Sequence, residues 1–539
     1  MAAPNDTPLT PLTPLTPLAP LLGDLRPPQE VTRDFVRRGW WRTETVLHDV
    51  YRGAARHPHR TALVSHQAGR PAASRVIRLT YAQLAAFTGR FAHALEALGV
   101  RPGDPVAFQL PNRWESVALL LACLRSGAVA VPVMPGYGAR DLEAVLRAVE
   151  ARLCVVPDRW EGTAPGRVLA GLAPRLPWLR HRVVLGDTVD AGAVDFHRHF
   201  VATPHERYRS AGWLRVPARP ADRLAVAVTS LGLGAAHSMA LHTPNSLHAG
   251  LPPVSRPDAA AFSALPLASL PALLHTVIGP LTHGGTVVLQ DVWDAESALE
   301  LLAAARVRQV HATPAQWAEL AAARQRRPGE AVELHDAFTS DPAGTSAALG
   351  RRVHAALGVS PRALPRAAAH TGRDGPAQGG PYRWWPRGPA SPLAVWRRTG
   401  GVGLTWGEDG TRGAGQAVDL VDLDEWGHPR LRTEEVGGMF LVPVTELEAL
   451  LLGHPRVAEA AVVARADPLH GELPCAVVVP DGAPPSLLEL RGHLSDRGVP
   501  PAHLPADLVL LGALPRTDAG DLRRRHLQDT VARRPPRAA

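Results

Sequence analysis

Between Tyr81 and Val100 the apolar side chains Leu84, Phe87, Phe91, Leu95 and Leu98 fall three or four residues apart, the spacing that lines one face of a helix. Short runs rich in β-branched residues follow at 105–110, 129–133 and 153–156, separated by helical stretches at 115–125 and 140–151. Consecutive parallel strands need a crossover helix, so this alternation predicts a parallel, doubly wound sheet. A second series repeats the logic, with strands at 224–229, 262–265, 286–290 and 309–312 and helices near 270–281, 295–305 and 314–324. Between about 364 and 415 the periodicity lapses into Pro, Gly, Arg and Trp, so irregular structure is expected there, with Trp384, Trp385 and Trp396 as packing anchors. From Asp419 a smaller α/β unit resumes, with strands at 457–464 and 473–479 and helices at 444–452 and 487–497.

The length of 539 residues asks for at least two compact units. Residues 7–21 repeat Thr-Pro-Leu four times and end in Ala-Pro-Leu, a low-complexity run that cannot pack as helix or sheet. The expected division is a proline-rich arm over 1–30, a large N-terminal domain of layered sheets over 31–415, and a small C-terminal domain with a basic tail over 416–539. The boundary between the two folded units is expected near 413–419.

Composition narrows the class. Hydrophobic residues make up 45% and charged residues 20%, as in a soluble globular chain. No apolar run reaches the roughly 20 residues of a membrane helix, and no secretory pattern opens the chain. Cys123, Cys154 and Cys475 lie far apart, which argues against a disulfide framework or a zinc site and points to the cytoplasm. The net charge is +8, and all 58 Lys+Arg residues are arginine, with no lysine anywhere. The one dense basic cluster, 523–537, reads as a frayed terminus, so no nucleic-acid partner is expected. His197 and His199 lack a third metal ligand nearby and read as hydrogen-bonded or surface histidines.

Residues 79–157, beginning LTYAQLAAFTGRF and containing LPNRWE and AVPVMPGYGA, resemble the first subdomain of acyl-CoA synthetases of the adenylate-forming (AMP-binding) superfamily. GWWR at 39–42, LPNRWE at 110–115 and LQDVWDAESALELL at 289–302 resemble its cyclohexanecarboxylate-CoA and medium-chain acid-CoA ligase branch. HPRVAEAAVVARADPLHGELPCAVVVP at 454–480 is similar to the family's mobile C-terminal domain. The resemblance implies an α/β fold, ATP and CoA as cofactors, and a carboxylate joined to AMP before transfer to a thiol.

The family's phosphate loop carries Ser, Thr, Gly and a lysine, since small residues let backbone N–H groups approach phosphate while the ammonium neutralises it. Here the run is Thr229, Ser230, Leu231, Gly232, Leu233, Gly234, Ala235, Ala236, His237, with His237 or Ala236 where lysine is expected. A tight strand-to-helix turn is the plainer reading of the same residues. In place of the aromatic-Gly-Met-Thr-Glu motif stand Pro365, Arg366, Ala367, Ala368 and Ala369, so no metal ligand is assigned. By resemblance Asp419 is the ribose-binding aspartate, with Asp422 and Asp424 competing and a solvated turn acid as the alternative. The hinge phrase is not recognisable within 427–437, and Gly437 and Gly438 are followed by Met439 and Phe440 where a polar pair is usual. The closing phrase PRTDAGD at 515–521 sets Asp521 where the family has its catalytic lysine. Arg366 or Arg523 would be the substitute cations, although a planar guanidinium does not act as a compact point charge. Residues 261–281 would line the acyl pocket by family position and otherwise pack the core. These readings yield a catalytically degenerate family member that binds a small carboxylate or a protein partner in a biosynthetic pathway. The alternative is an active ATP-dependent acid–thiol ligase on a small cyclic, aromatic or medium-chain acid.

Overall fold

The computed structural model describes residues 22, 25–208, 221, 223–230, 238–251, 254–327, 329, 332–339, 347–363, 394–397, 401–404, 421–423, 429–431, 434–436, 440–442, 444–467, 471–497, 499, 503–515 and 524–533. Two large sheets carry the first part of the chain. In order the strands are β1 (Thr61–His66), β2 (Val76–Thr80), β3 (Pro105–Phe108), β4 (Val129–Pro132), β5 (Leu153–Pro157), β6 (His181–Leu185), β7 (Val194–Asp195) and β8 (Val226–Ser230). They continue as β9 (Ser238–His242), β10 (Ala260–Ser263), β11 (Thr286–Gln290), β12 (Val307–Ala312), β13 (Asp336–Thr339), β14 (Arg362–Ala363), β15 (Ala394–Arg397) and β16 (Gly401–Leu404). One sheet has the order β14-β13-β12-β10-β11-β1-β2 and the other β16-β15-β9-β8-β4-β3-β5-β6-β7.

Strand side chains alternate between faces, so the core residues show how the layers stack. Leu63, Val287 and Leu289 of the seven-stranded sheet share one core with Val106, Phe108, Ala130, Val155 and Val183 of the nine-stranded sheet. Between them lie the helices Tyr81–Ala97 and Trp114–Ser126, whose Phe91, Val117 and Leu121 are fully buried. The opposite face of the nine-stranded sheet, including Ala107, Val131, Cys154 and Val184, packs on Ala139–Val149 and Pro165–Leu172. Val64, Phe262, Val288, Val310 and Ala337 pack outward on Ala295–Ala304, Pro314–Arg326 and Ala347–Leu357. The result is helix, sheet, helix, sheet, helix. Leu22, next to the proline-rich repeat, is buried in the outer core beside the nine-stranded sheet.

Local chemistry fixes the helix starts. Thr80, Thr243, Thr313 and Ser486 each accept a hydrogen bond from the backbone N–H three residues on, satisfying a donor the helix leaves free. The segment 270–281, expected as one helix, is broken by a π-helical stretch at Leu273–Ile278. Pro280 lies just beyond it, where the missing N–H and the ring disturb regular α bonding.

Three expectations need correction. The sheets are not wholly parallel: β2 runs antiparallel to β1, β8 to β9, and β15 to both β9 and β16. The next described element after β8 is the antiparallel strand β9, not the helix that a strand-to-helix turn would lead into. Within the stretch expected to be irregular, β15 and β16 form an antiparallel edge, and Trp396 is paired in register with Met239 and Val402. Trp384 and Trp385 lie outside the described residues.

The smaller unit has the antiparallel pair Val457–Asp467 and Gly471–Pro480, with Asp507–Leu510 parallel to the second. Val462, Ala476 and Val478 pack with Leu447, Leu451, Leu490 and Leu494 of the helices Val444–Leu452 and Leu487–Ser495. Val463, Val477 and Val509 face Leu527 and Val531 of Arg524–Ala532.

Candidate functional site

In open α/β sheets a ligand binds outside the carboxyl ends of the strands, where the strand order reverses. In the seven-stranded sheet β10 has β11 on one side and β12 on the other. The chain leaving β10 enters the π-helical stretch, whose Leu273, Leu274, Val277 and Ile278 belong to the central core. The chain leaving β12 enters Pro314–Arg326, whose Trp317, Leu320 and Ala321 belong to the outer core. These connections depart to opposite faces, so the strand order reverses between β10 and β12.

The inner face of the sheet changes character at that point. On β1 and β11 it carries Leu63, Val287 and Leu289, with one polar residue, Ser65, whose Oγ accepts from the Trp114 N–H at 3.3 Å. On β12 and β13 the residues alternating with outward-facing Val310, Ala312 and Ala337 are Gln309, His311, Asp336 and Phe338, all buried. Most have partners: Gln309 Nε2 donates to the Arg256 carbonyl at 2.5 Å, and Asp336 accepts from the Ser255 N–H at 2.8 Å and from Arg362 at 2.7 Å.

His311 is the exception. It is in register with Ser263 of β10, is 1% exposed, and neither Nδ1 nor Nε2 has a hydrogen-bond partner among the described residues. Such a buried group costs about 1–3 kcal/mol per unmet bond. Its ring lies 5.1 Å from that of His275, and the His275 ring lies 4.9 Å from that of Phe338. Burial pushes His275 down to about 3 and His311 well below its usual value, with His275 reinforcing the effect, so both rings are neutral near pH 7. Thr276 Oγ1, also buried, has no partner among the described residues either. A π-helical turn carrying functional side chains is a recurring association.

Of the residues assigned from the sequence, Thr229 and Ser230 end β8, in register with Met239 and Ser238. Gly232, Gly234 and His237 lie outside the described residues, as do Asp419, Asp424, Arg366, Asp521 and Arg523. Asp422 lies in the short strand Val421–Leu423, in register with Arg430. His199 bonds the Ala94 carbonyl at 3.1 Å, and the described residues hold no group of three or more His, Cys, Asp or Glu suited to a metal. The segment proposed for the acyl pocket supplies both core residues and His275. His311 was missed because one polar residue within RVRQVHA signals nothing until the strand order places it at a reversal.

A triphosphate calls for compact cations. Among the described residues this part of the sheet holds two neutral imidazoles and Arg362, which is already paired with Asp336. That set alone supplies no unpaired cation for a triphosphate, and the loop expected to hold the phosphates lies largely outside the described residues.

The description AMP-binding enzyme matches residues 50–362, and AMP-binding enzyme C-terminal domain matches 446–521. A salicylyl-CoA synthase / salicylate adenylyltransferase of Streptomyces sp is 27% identical, over 94% of this chain and 97% of that protein. A medium-chain fatty-acid–CoA ligase of Escherichia coli is 26% identical, over 84% and 86%. The solved amide bond synthetase McbA of Marinactinospora thermotolerans superposes with a TM-score of 0.66 at 22% identity, over 91% of this chain and 100% of that one. No described helix is long and apolar enough to cross a membrane. With one family model covering more than half of its length and a second covering the smaller unit, the chain belongs to the AMP-binding, adenylate-forming enzyme family.

Proposed function

We propose that this chain is an acyl-CoA synthetase-like protein that keeps the scaffold and a ligand crevice, has lost adenylation, and serves a biosynthetic pathway as a binding or partner subunit. The observation that carries the proposal is the complete absence of lysine: every one of the 58 basic residues is arginine. In this reading the loop 229–237 keeps Thr229, Ser230, Gly232 and Gly234 while His237 takes the place of its lysine. Asp419 keeps the ribose-binding place, and Asp521 sets an anion where the closing lysine belongs. Loss of one preorganised transition-state donor slows an enzyme by roughly 10²- to 10³-fold, and here at least two are replaced. The ligand would be a small molecule of the kind named for the relatives, such as salicylate or a medium-chain acid. The cytoplasm is its proposed location.

One observation favours the second reading, an active acid–thiol ligase using ATP and CoA. The likeness to the salicylate enzyme runs over 94% of the chain and so spans both family regions. Ligand linkage separates the two, because a ligand bound only by the native state raises its melting temperature. Millimolar ATP with magnesium is expected to leave the melting temperature unchanged; a rise of several degrees overturns the first reading in favour of the second.

A further inference from the structure

A strand at the end of a sheet leaves every second residue with an N–H and a C=O that no neighbouring strand meets. Of the four strands that end the two large sheets, β7 and β14 are two residues long and β16 four, while β2 has five. The Gln67 N–H donates to the Arg75 carbonyl at 2.8 Å and continues the β1–β2 ladder. By alternation Ile77 with Ser65, and Leu79 with Leu63, are the hydrogen-bonded pairs within it. The backbone groups of Val76 and Arg78 therefore point away from β1, and no other described strand pairs with β2. The free row stops at Thr80, whose N–H goes to Gln83 Oε1 at 2.9 Å. Ile77 and Leu79 lie on the inner apolar face, which leaves Val76 and Arg78 on the outer one, Val76 at 41% exposure and Arg78 exposed. Residues 67–80 contain Arg70, Arg75 and Arg78 and no Asp or Glu. Arg75 Nε gives to the Arg70 carbonyl at 3.4 Å, and none of the three has a carboxylate partner among the described residues.

We infer that β2 is a docking edge for an extended acidic segment of a partner protein, which adds to the seven-stranded sheet as a further strand. Main-chain hydrogen bonds to Val76 and Arg78 hold the segment, as in other cases of strand addition at a sheet edge. Side chains directly opposite on one face of a sheet touch, so an acidic residue faces Arg78 and an apolar one faces Val76. A second acid two residues further on meets Arg75 or Arg70. A second copy of this chain fits less well, because it sets the same unpaired arginines against one another. The edge shares no residue with the loop 229–237 or with His275 and His311, so the inference holds whether or not the chain adenylates an acid.

The probe is a fluorescein-labelled peptide, Thr-Glu-Thr-Val-Thr-Glu-Thr, which in a strand sets Glu, Val and Glu on one face. Its anisotropy is followed at low salt as the full-length chain is added. Saturable binding is expected, and Arg78→Glu should weaken it about tenfold, since like charges then face each other. Two further copies of the peptide carry N-methyl groups on alternate residues, one on the Glu and Val nitrogens and the other on the Thr nitrogens. Only one row of N–H groups faces β2, so one copy should bind at least about tenfold more weakly than the parent and the other should stay within about threefold. Melting curves show whether Arg78→Glu is folded, and the methylated peptides test the pairing on the wild-type chain alone. No binding at millimolar peptide, unchanged affinity in folded Arg78→Glu, or parent-like affinity for both methylated copies overturns the inference. A wild-type dimer in sedimentation that the peptide takes apart also overturns it, by giving the edge to a second copy.

Discussion

The two large sheets are wound alike and finished differently at their carboxyl edges. In each, one strand sends its chain into the central helical layer and has its next two partners on either side: β3 between β4 and β5, and β10 between β11 and β12. At the end of β3 the edge is closed. Gln109 is 2% exposed, its N–H bonds the Val155 carbonyl of β5, and its Nε2 approaches the carbonyls of Met134, Pro135 and Tyr137 beyond β4 at 3.1, 3.1 and 2.7 Å. Beside the end of β10, His311 of β12 is equally buried and has no hydrogen-bond partner among the described residues. A fully satisfied polar side chain holds a fold together, whereas an unsatisfied one at a strand-order reversal marks a place kept for something else.

The residue that joins the two edges should give the largest effect. Asn112 follows β3, donates to the Leu265 carbonyl at 2.9 Å and accepts from the Leu267 N–H at 2.9 Å, tying the first edge to the chain leaving β10. Asn112→Ala should cost about 3 kcal/mol in urea unfolding, since it strands two buried backbone groups. Gln109→Leu should follow at about 2 kcal/mol, because the carbonyls it serves lose their donor; a cost below about 0.5 kcal/mol would remove the contrast between the edges.

The pH dependence comes next. The folded values of His275 and His311 lie below 6.5, so the unfolded chain binds more protons and stability falls as pH drops from about 6.5 toward those folded values. His311→Leu deletes one such group. Between pH 7 and 5 the variant should therefore lose about 1–2 kcal/mol less than the wild type, measured as the difference between two urea titrations. At pH 7.5 the same substitution should have the smallest effect, within about 0.5 kcal/mol or slightly stabilising, since a leucine leaves no polar atom unmet. A loss of 2 kcal/mol there would make His311 a packing residue like Gln109.

Periodicity in the sequence located most of this framework. The strand at 286–290 and the helix at 444–452 have the bounds read from the apolar pattern, and the helix from Tyr81 ends three residues early, at Ala97. β9, β15 and β16 were missed because they are only four or five residues long, and the pairing of β15 with β9 depends on residues distant in the chain. The π-helical break at 273–278 was hidden because an unbroken apolar run reads as helix whichever hydrogen bond closes each turn. Resemblance proposed a phosphate loop at 229–237, of which the described residues include only Thr229 and Ser230, at the end of β8. It could not supply His275 and His311, whose meeting depends on a reversal of strand order that no local pattern encodes.

The central claim is that a chain without lysine has kept this scaffold and given up its adenylation chemistry. Carboxylate-dependent exchange of pyrophosphate into ATP, run with salicylate, 2,3-dihydroxybenzoate and medium-chain fatty acids on the purified full-length protein, tests it most directly. Exchange indistinguishable from a control without acid is the predicted result; exchange well above that control with any one of these acids would contradict the account.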